Sequence, residues 1–530
     1  MGTTVLRKSS LAPLGLLALG ACGAAGSDPP VAYDGEGRIL LQDVEPRAFN
    51  VLLVSIDTLR ADHLGCYGYG LDTSLRMDEL ASQGVVFEAV GSCSPWTTPA
   101  HVSLMTSLYP EAHGVYAYPY PGRLDPAVVT LAEILRAQGW RTAGFTEGGY
   151  AKGSTGLADG FETFPTWPRD QDTFVSHELE PSRLLENAER ALAWLAQHAE
   201  QRFFLFFHTY EPHYEYRPPA ALHALLAPEL SAEEEHARLE AAVAAWNAQR
   251  DLTTSEKGVL YRHYLQGDLF ELEVQRQKRL WPTLARFVEQ EWRDSPGFAQ
   301  DLRYVTSLYD AEIRFADEVV GRLLDALEEH GLERSTLVVV TSDHGEGLMD
   351  HDELQHGFHL YPELLHVPLI VRFPEGAHAG RRVADPVRSI DVMPTVLDAL
   401  GLPSPDVAQG ASLLPLLARE EGPRGLFAEG LTVEGGERDL LSYRRGGWKL
   451  VRDTRAGTEV LYDLVHDPEE RRDVLAQTDL VLVDALRAEL ARVLLENGLL
   501  SARFRVGAGE FSEAEKRRLD ALGYGGESGD

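Results

Sequence analysis

Cysteine is scarce in this chain. Across 530 residues there are three, Cys22, Cys66 and Cys93, which excludes a disulfide-stapled scaffold, although a Cys66–Cys93 bridge stays open in an oxidising compartment. Basic charge is also in short supply. Lys and Arg number 49 against 82 Asp and Glu, a net charge of −33, so no basic surplus exists to neutralise the phosphates of a nucleic acid. The acidity reads as solubility. Beyond residue 22 no apolar run is long enough to span a bilayer as a helix. Internal repeats and heptads are missing too, which excludes solenoids and coiled coils.

What is present is ordinary in bulk, with 44% apolar and 25% charged residues, as in a folded globular protein. The N-terminus is more specific. Arg7 and Lys8 precede the apolar run LAPLGLLALGA, which ends at Cys22. This run is too short for a mature membrane span but fits the apolar region of a secretory signal. LGAC (Leu19 to Cys22) resembles a bacterial lipobox, so residues 1–22 are expected to be a lipoprotein-type signal, with an ordinary cleaved signal as the alternative. Residues 23–47, including GAAGSDPPVAYDGEG, have a linker's composition. The expectation is export to a bacterial cell envelope, on the periplasmic or surface side, with a lipid anchor at Cys22.

FNVLLVSID (49–57) and STLVVVTSDHG (335–345) are continuous apolar runs bounded by polar residues, as buried parallel strands are. SLRMDELASQG follows the first as a helical pattern, and YDAEIRFADEVVGRLLDALEEHG precedes the second, closing on Gly331. TLAEILRAQGWRTAGFT and NAERALAWLAQHAEQRFFLFFHTY repeat the helix-then-strand order. Such alternation predicts an α/β fold with a large, mainly parallel central sheet sandwiched by helices, over residues 48–419. Residues 220–300, with SAEEEHARLEAAVAAWNAQR, carry no strand pattern and read as a helical insertion, either decorative or capping the mouth of a site. From about 420 to 530 the texture changes. LLSYRRGGWKLVRD and TEVLYDLVHDPEE predict antiparallel strands, and DLVLVDALRAELARVLLENG a helix, together a smaller α+β subdomain.

Asp57 ends one buried strand and Asp343–His344 ends another. In open α/β sheets ligands bind outside the carboxyl ends of the strands, and two carboxylates with an imidazole there suit a divalent metal. Alone, an Asp after a strand is more often a turn or capping residue; the three together carry the signal.

The strings SIDTLRADHLGCYGY (55–69), TPAHVSLMTSLYPEAHGV (98–115), TSDHGE (341–346) and LYPELLHVPLIV (360–371) resemble, in order and spacing, the sulfatase family of the alkaline phosphatase superfamily. RSIDVMPTVLDALGLP, GWKLVRD with GTEVLYDLVHDPEE, and the terminal FSEAEKRRLDALGY are similar to later blocks of that family. The resemblance covers roughly residues 48–525, the insertion excepted, and implies an alkaline phosphatase-like fold and an ester hydrolase.

The family's signature is Cys or Ser, any residue, Pro, any residue, Arg, two residues, two apolar residues, then Thr-Gly. In SCSPWTTPAHVSLMTSLYP two registers compete. With Thr97 first, Pro99 falls in place, His101 takes the Arg position, and Leu104-Met105 and Thr106-Ser107 follow in step. With Cys93 first, Pro95 fits but everything downstream is displaced by four residues. Thr97 is therefore expected at the nucleophile position. Sulfatases oxidise the Cys or Ser there to formylglycine; threonine is not a known substrate of that conversion, so no formylglycine is expected. The hydroxyl itself must attack, its deprotonation favoured by a metal, as with the Thr nucleophile of related phosphodiesterases and phosphoethanolamine transferases. That likeness implies Asp57, Thr97, Asp343 and His344 as donors to one divalent ion. Mixed imidazole and carboxylate donors suit Zn²⁺ or Mn²⁺, with Ca²⁺, usual in sulfatases, as the alternative.

Other departures point the same way. Thr58 replaces the second of two adjacent Asp residues typical of the family, and Glu147 and Gly149 stand where a Lys and His should hold the sulfate. The resemblance gives His213, in FFLFFHTYEPHYEY, the role of contacting substrate and protonating the leaving group. His101 is expected to bind the transferring group or act as a base. His356 and His359, in HGFHLY, both fall near a substrate-binding lysine of the family, and the spacing does not choose between them. His208 and His351 look structural, and Glu346 is a weak candidate for supporting the metal ligands. The expected substrate is a small-molecule, glycan or lipid ester, a phosphodiester or phosphonate ahead of a sulfate, with group transfer or an inactive binding scaffold as further readings.

Overall fold

The computed structural model describes residues 32–33, 39–40, 47–116, 122–167, 183–229, 232–266, 280, 283–284, 286–418, 424–431 and 439–504. The signal-like segment with Cys22, most of the linker, and FSEAEKRRLDALGY fall outside them.

The chain opens its main body with β1 (Asn50–Ile56), buried at every position. Then come α1 (Leu75–Gln83), β2 (Val85–Gly91), α2 (Thr97–Thr106), α3 (Leu131–Ala137), β3 (Arg141–Phe145), α4 (Arg183–His198) and β4 (Phe203–Thr209). Among the described residues of the expected insertion, α5 (Ala220–Leu226), α6 (Ala232–Asn247) and α7 (Thr254–Leu265) follow, before the long α8 (Phe298–Glu329). The body closes with β5 (Thr336–Thr341), β6 (His366–Arg372), β7 (Arg381–Val383), β8 (Val387–Arg388) and α9 (Val392–Ala399).

These strands form one sheet in the order β7–β2–β6–β5–β1–β4–β3, with β8 continuing beside β2. β3, β4, β1 and β5 are mutually parallel. β6 runs against both β5 and β2, so the sheet is mixed and mostly parallel. Both faces are covered, which explains why the strands read as continuous apolar runs. In β1, Leu52, Val54 and Ile56 join a core with Leu308, Ile313 and Val320 of α8. Val51 and Leu53 point the other way, towards Met393 and Val396 of α9. That alternation is the two-residue period of a strand, and each such side chain contributes roughly 1.5–3 kcal/mol by leaving water.

Two local signals in the sequence place helices well. Thr130 with Glu133 caps α3, and Thr253 with Glu256 caps α7, each a reciprocal pair in which side chains satisfy free backbone N–H groups. The end of α7 docks beside the sheet: Tyr216 N donates to Leu265 O (3.1 Å) and Arg217 Nε to Gln266 O (2.6 Å). The insertion thus meets the loop that carries His213.

β9 (Leu426–Leu431), β10 (Asp439–Arg445), β11 (Trp448–Asp453) and β12 (Thr458–Asp463) form a four-stranded antiparallel meander. α10 (Leu480–Ser501) lies across it, burying Val483, Leu486 and Leu490 against Leu441, Leu450 and Leu461. Cys93 belongs to this core together with Tyr109 and Ile390, and both Cys66 and Cys93 are free thiols. Among the described residues no helix is long and apolar enough to cross a membrane.

Candidate active site

Parallel β1, β4 and β5 stop side by side, so the residues just past their ends converge. β1 delivers Asp57, β5 delivers Asp343 and His344, and β4 contributes His208 from its penultimate position. Thr97 is the first residue of α2, presented at the end of the helix where free N–H groups favour negative charge. Thr97 Oγ1 lies 3.3 Å from Asp57 Oδ2 and 3.4 Å from His344 Nε2. Asp57, Thr97, Asp343 and His344 are all buried.

The two carboxylates are bonded asymmetrically. Asp343 Oδ1 accepts from His344 N (2.9 Å), Thr58 N (3.3 Å) and Ser342 Oγ (3.4 Å), whereas its Oδ2 accepts no hydrogen bond. Asp57 Oδ2 faces Thr97, whereas its Oδ1 accepts none. His344 Nδ1 donates to Gly345 O (2.9 Å), which leaves the Nε2 lone pair turned inward. Nε2 is 3.8 Å from Asp57 Oδ1 and 3.4 Å from Asp343 Oδ2. Buried carboxylate oxygens without partners are costly, and here they face a ring nitrogen with its lone pair exposed to them. One oxygen from each of Asp57 and Asp343, His344 Nε2 and Thr97 Oγ1 fit a divalent cation, and the Asp57, Asp343 and His344 atoms lie within 4.8 Å of one another. Charge agrees. Burial, with repulsion from Asp343 and Glu346, pushes the Asp57 carboxyl well up. Burial also opposes ionisation of Asp343, but His344, His101 and His208 outweigh it and hold that carboxyl below its ordinary range.

Thr58 sits at φ +53°, a region that β-branched residues rarely occupy. Its N–H on Asp343 and the Tyr309 hydroxyl donating to its carbonyl (2.7 Å) hold it there. The turn is what aims Asp57 at Asp343.

Above this floor stand two further histidines. His356 Nδ1 pairs with Glu346 Oε1 at 3.0 Å, and its ring lies 4.5 Å from that of His344 and 4.8 Å from that of His213. His213 Nδ1 is turned to the carbonyl of Tyr214. Burial pushes His213 down to about 3 and His356 to about 4, so both favour the neutral form near neutral pH.

Two further expected site residues make the following contacts. His101 was expected to touch the transferring group or act as a base. Its Nδ1 donates to Thr97 O (2.8 Å) and lies 3.5 Å from Asp343 Oδ2, and its Nε2 meets Ser55 Oγ (2.9 Å), so the ring sits between the start of α2 and the strand ends. His359 was expected beside the substrate. It faces Tyr361 and Glu363 and lines a cavity of about 270 Å³ against the C-terminal sheet, because the chain turns at Gly357 (φ +95°) between the two histidines. Cys93 is sealed in the subdomain core, where burial pushes its thiol up to about 11; it has neither the position nor the acidity of a nucleophile. His351, expected to be structural, stacks on Tyr361 at 3.7 Å and pairs with Glu363.

His208, read from the sequence as structural, lies beside the converging carboxylates. Its ring lies edge-to-face with His101 at 4.7 Å, and its Nε2 is 3.5 Å from Asp57 Oδ2. Glu147 was noted only as a departure, yet both its carboxylate oxygens are buried and accept no hydrogen bond, and burial with the neighbouring Glu211 pushes its carboxyl well up. Polar residues inside otherwise apolar strand ends were the available signal.

A mostly parallel α/β sheet with a buried threonine at a helix end and acidic and imidazole groups at its strand ends defines the alkaline phosphatase-like class of ester hydrolases. Comparison makes this specific. The family model "Sulfatase" matches residues 49–402, and the chain belongs to the sulfatase family. A C-terminal model, "N-sulphoglucosamine sulphohydrolase, C-terminal", matches residues 354–496. The uncharacterized sulfatase YidJ of Escherichia coli (strain K12) is 26% identical over 470 residues, covering 85% of this chain and 86% of that one. The multifunctional alkaline phosphatase superfamily protein PehA of Trinickia caryophylli is 28% identical over 425 residues, with coverage of 70% and 77%. Among solved structures, BT4656 in complex with D-glucosamine-2-N,6-O-disulfate superposes with a TM-score of 0.65 at 20% identity, over 85% of this chain and 98% of that one. The protein is an ester-bond hydrolase of this family.

Proposed function

We propose that the protein is a metal-dependent phosphodiester or phosphonate ester hydrolase that uses the Thr97 hydroxyl as its nucleophile. The observation that carries this reading is Thr97 Oγ1 within 3.4 Å of both Asp57 and His344, at the start of a helix. A divalent ion held by Asp57, Asp343, His344 and Thr97 would supply positive charge that acidifies the hydroxyl and offsets charge on the reacting group; the mixed donor set favours Zn²⁺ or Mn²⁺ over Ca²⁺.

Thr97 Oγ gives up its proton towards Asp57 Oδ2, with which it is already paired, and bonds to phosphorus. The bond from phosphorus to the leaving oxygen breaks, and His213 or His356 protonates that oxygen. Water then attacks the same phosphorus, the bond to Thr97 breaks, and Oγ regains a proton. A threonine carbon carries one oxygen, so the intermediate can be resolved only by this second attack, a route suited to a phosphoryl centre. Glu147 at the place of a sulfate-holding lysine weighs against a sulfate monoester. The similarity of PehA, described as multifunctional, is in keeping with an ester other than sulfate.

The second reading is a sulfuric ester hydrolase using the same threonine, favoured by the match of residues 354–496 to a sulphohydrolase C-terminal model. Assays of the Zn²⁺-, Mn²⁺- and Ca²⁺-loaded protein on 4-nitrophenyl phosphate, bis(4-nitrophenyl) phosphate, 4-nitrophenyl phenylphosphonate and 4-nitrophenyl sulfate decide between them. The diester or phosphonate should have the highest kcat/KM, and T97A should fall to background; fastest turnover of the sulfate overturns the first reading. We further infer export and lipid anchoring through Cys22, with a small-molecule, glycan or lipid ester as substrate. Metabolic labelling with a fatty acid tests the anchor, and labelling that survives C22A contradicts it.

A further inference from the structure

His208 is fully buried on β4, and neither ring nitrogen makes a hydrogen bond. Its neighbours on the strand are Phe203, Phe204, Leu205, Phe206 and Phe207, all buried. A phenylalanine at 208 would continue that apolar series without a buried polar group, which folding alone would favour. The imidazole therefore calls for a reason outside packing.

Its surroundings supply one. Nε2 lies 3.5 Å from Asp57 Oδ2, the oxygen that also faces Thr97 Oγ1 at 3.3 Å. The other oxygen of the same carboxylate, Oδ1, accepts no hydrogen bond and faces His344 Nε2 at 3.8 Å. The edge-to-face contact with His101 at 4.7 Å and with Tyr210 at 4.9 Å fixes the plane of the ring. Asp57 is thereby divided, with one oxygen covered by Thr97 and His208 and one left for a ligand. Asp343 is divided by other means, through two backbone N–H groups and Ser342 on Oδ1.

We propose that His208 is a positioning residue that makes Asp57 a one-oxygen donor and so sets which metal the site accepts. The inference rests on the metal-dependent reading of the site given above. Calcium takes six to eight oxygen donors and readily uses both oxygens of a carboxylate, whereas Zn²⁺ is satisfied by four donors including nitrogen. Holding Oδ2 of Asp57 back removes a donor that calcium needs and zinc does not. Partners of this kind behind a metal ligand typically change affinity by about 10–100-fold.

The experiment measures Zn²⁺, Mn²⁺ and Ca²⁺ dissociation constants of the full chain by competition with a chromophoric chelator. Metal-free thermal unfolding is measured in parallel, for wild type, H208F and H208Q. H208F should narrow the preference for Zn²⁺ over Ca²⁺ by about tenfold or more without lowering the metal-free Tm, because it replaces an unpartnered imidazole by an apolar ring. H208Q, which keeps a polar N–H group at the place of Nε2, should recover part of the preference. An unchanged Zn²⁺/Ca²⁺ ratio in H208F overturns the proposal, as does a loss of metal-free Tm that accounts for the change, since packing would then be the whole effect. Should wild type bind no divalent ion, the metal-dependent reading falls and this inference falls with it. Should it bind zinc tightly yet keep its selectivity in H208F, only this inference falls.

Discussion

Two clusters of buried charge in this molecule could hardly be built more differently. In the helical insertion, Arg262 donates from Nε to Glu235 at 2.7 Å and from its terminal nitrogens to Glu235 and Asp301, while Trp292 Nε1 donates to Asp301 Oδ2 at 3.1 Å. At the strand ends, Asp57 Oδ1, Asp343 Oδ2 and both nitrogens of His208 are equally buried and accept or donate nothing. The first cluster is complete as it stands, a structural lock between α6, α7 and α8. The second leaves those atoms without partners, a grouping that could hold a cation. Burial of charge is common to both; satisfaction separates structure from function.

The contrast can be broken from the paired side first, where the effect is largest. Removing one partner of a satisfied buried cluster strands the others, so R262M should destabilise the protein by about 3–5 kcal/mol, read by chemical denaturation. Little effect would mean the insertion is locked by its apolar contacts alone. Next in size is a contrast between two histidines three residues apart. H356A should lower kcat/KM by about a hundredfold, because it removes an imidazole 4.5 Å from His344. H359A should change it far less, since that ring faces Tyr361 and Glu363; equal losses would put both histidines at the substrate.

From the unpaired side the sign reverses. D57N removes a buried carboxylate that lacks a partner on one oxygen, so the metal-free protein should be more stable than wild type by about 1–2 kcal/mol. The stabilisation that added metal gives should vanish in the same variant. A less stable metal-free D57N would mean that Asp57 is already satisfied by the chain. The smallest effect concerns Glu429, which accepts one hydrogen bond from Glu111 N and is pushed up to about 8 by burial. Between its ordinary 4.5 and about 8 the unfolded chain releases the proton while the folded chain keeps it. The unfolded state then binds fewer protons, and stability falls as pH rises through that window. E429Q should flatten this slope, as measured by Tm from pH 4 to pH 9, and an unchanged slope would show another group to be responsible.

Much of this was legible in the sequence, and the reasons are physical. FNVLLVSID and STLVVVTSDHG revealed buried strands because both faces of the sheet are covered, and Asp57 and Asp343–His344 at their ends followed from parallel strands stopping together. The downstream spacing of TTPAHVSLMTSLYP separated Thr97 from Cys93, and Cys93 lies in the core under α10. What the sequence could not resolve depended on side-chain direction. His101 and Thr97 are four residues apart on α2, so the ring turns back to a carbonyl of its own helix. HGFHLY offered two histidines, and only the left-handed turn at Gly357 sends one to the site and the other to the C-terminal sheet. His208 looked structural among phenylalanines because nothing in a linear string shows an unsatisfied nitrogen. β6, reversed within the sheet, reads like any other apolar strand.

In the proposed reaction Thr97 carries the transferred group. Acid quenching of the metal-loaded protein during turnover of bis(4-nitrophenyl) phosphate, followed by fragmentation mass spectrometry of the peptide spanning Cys93 to Met105, tests it directly. A phosphoester on Thr97, absent from T97A, is the predicted result. The same group on Cys93 or Thr98, or undiminished turnover by T97A, contradicts the account.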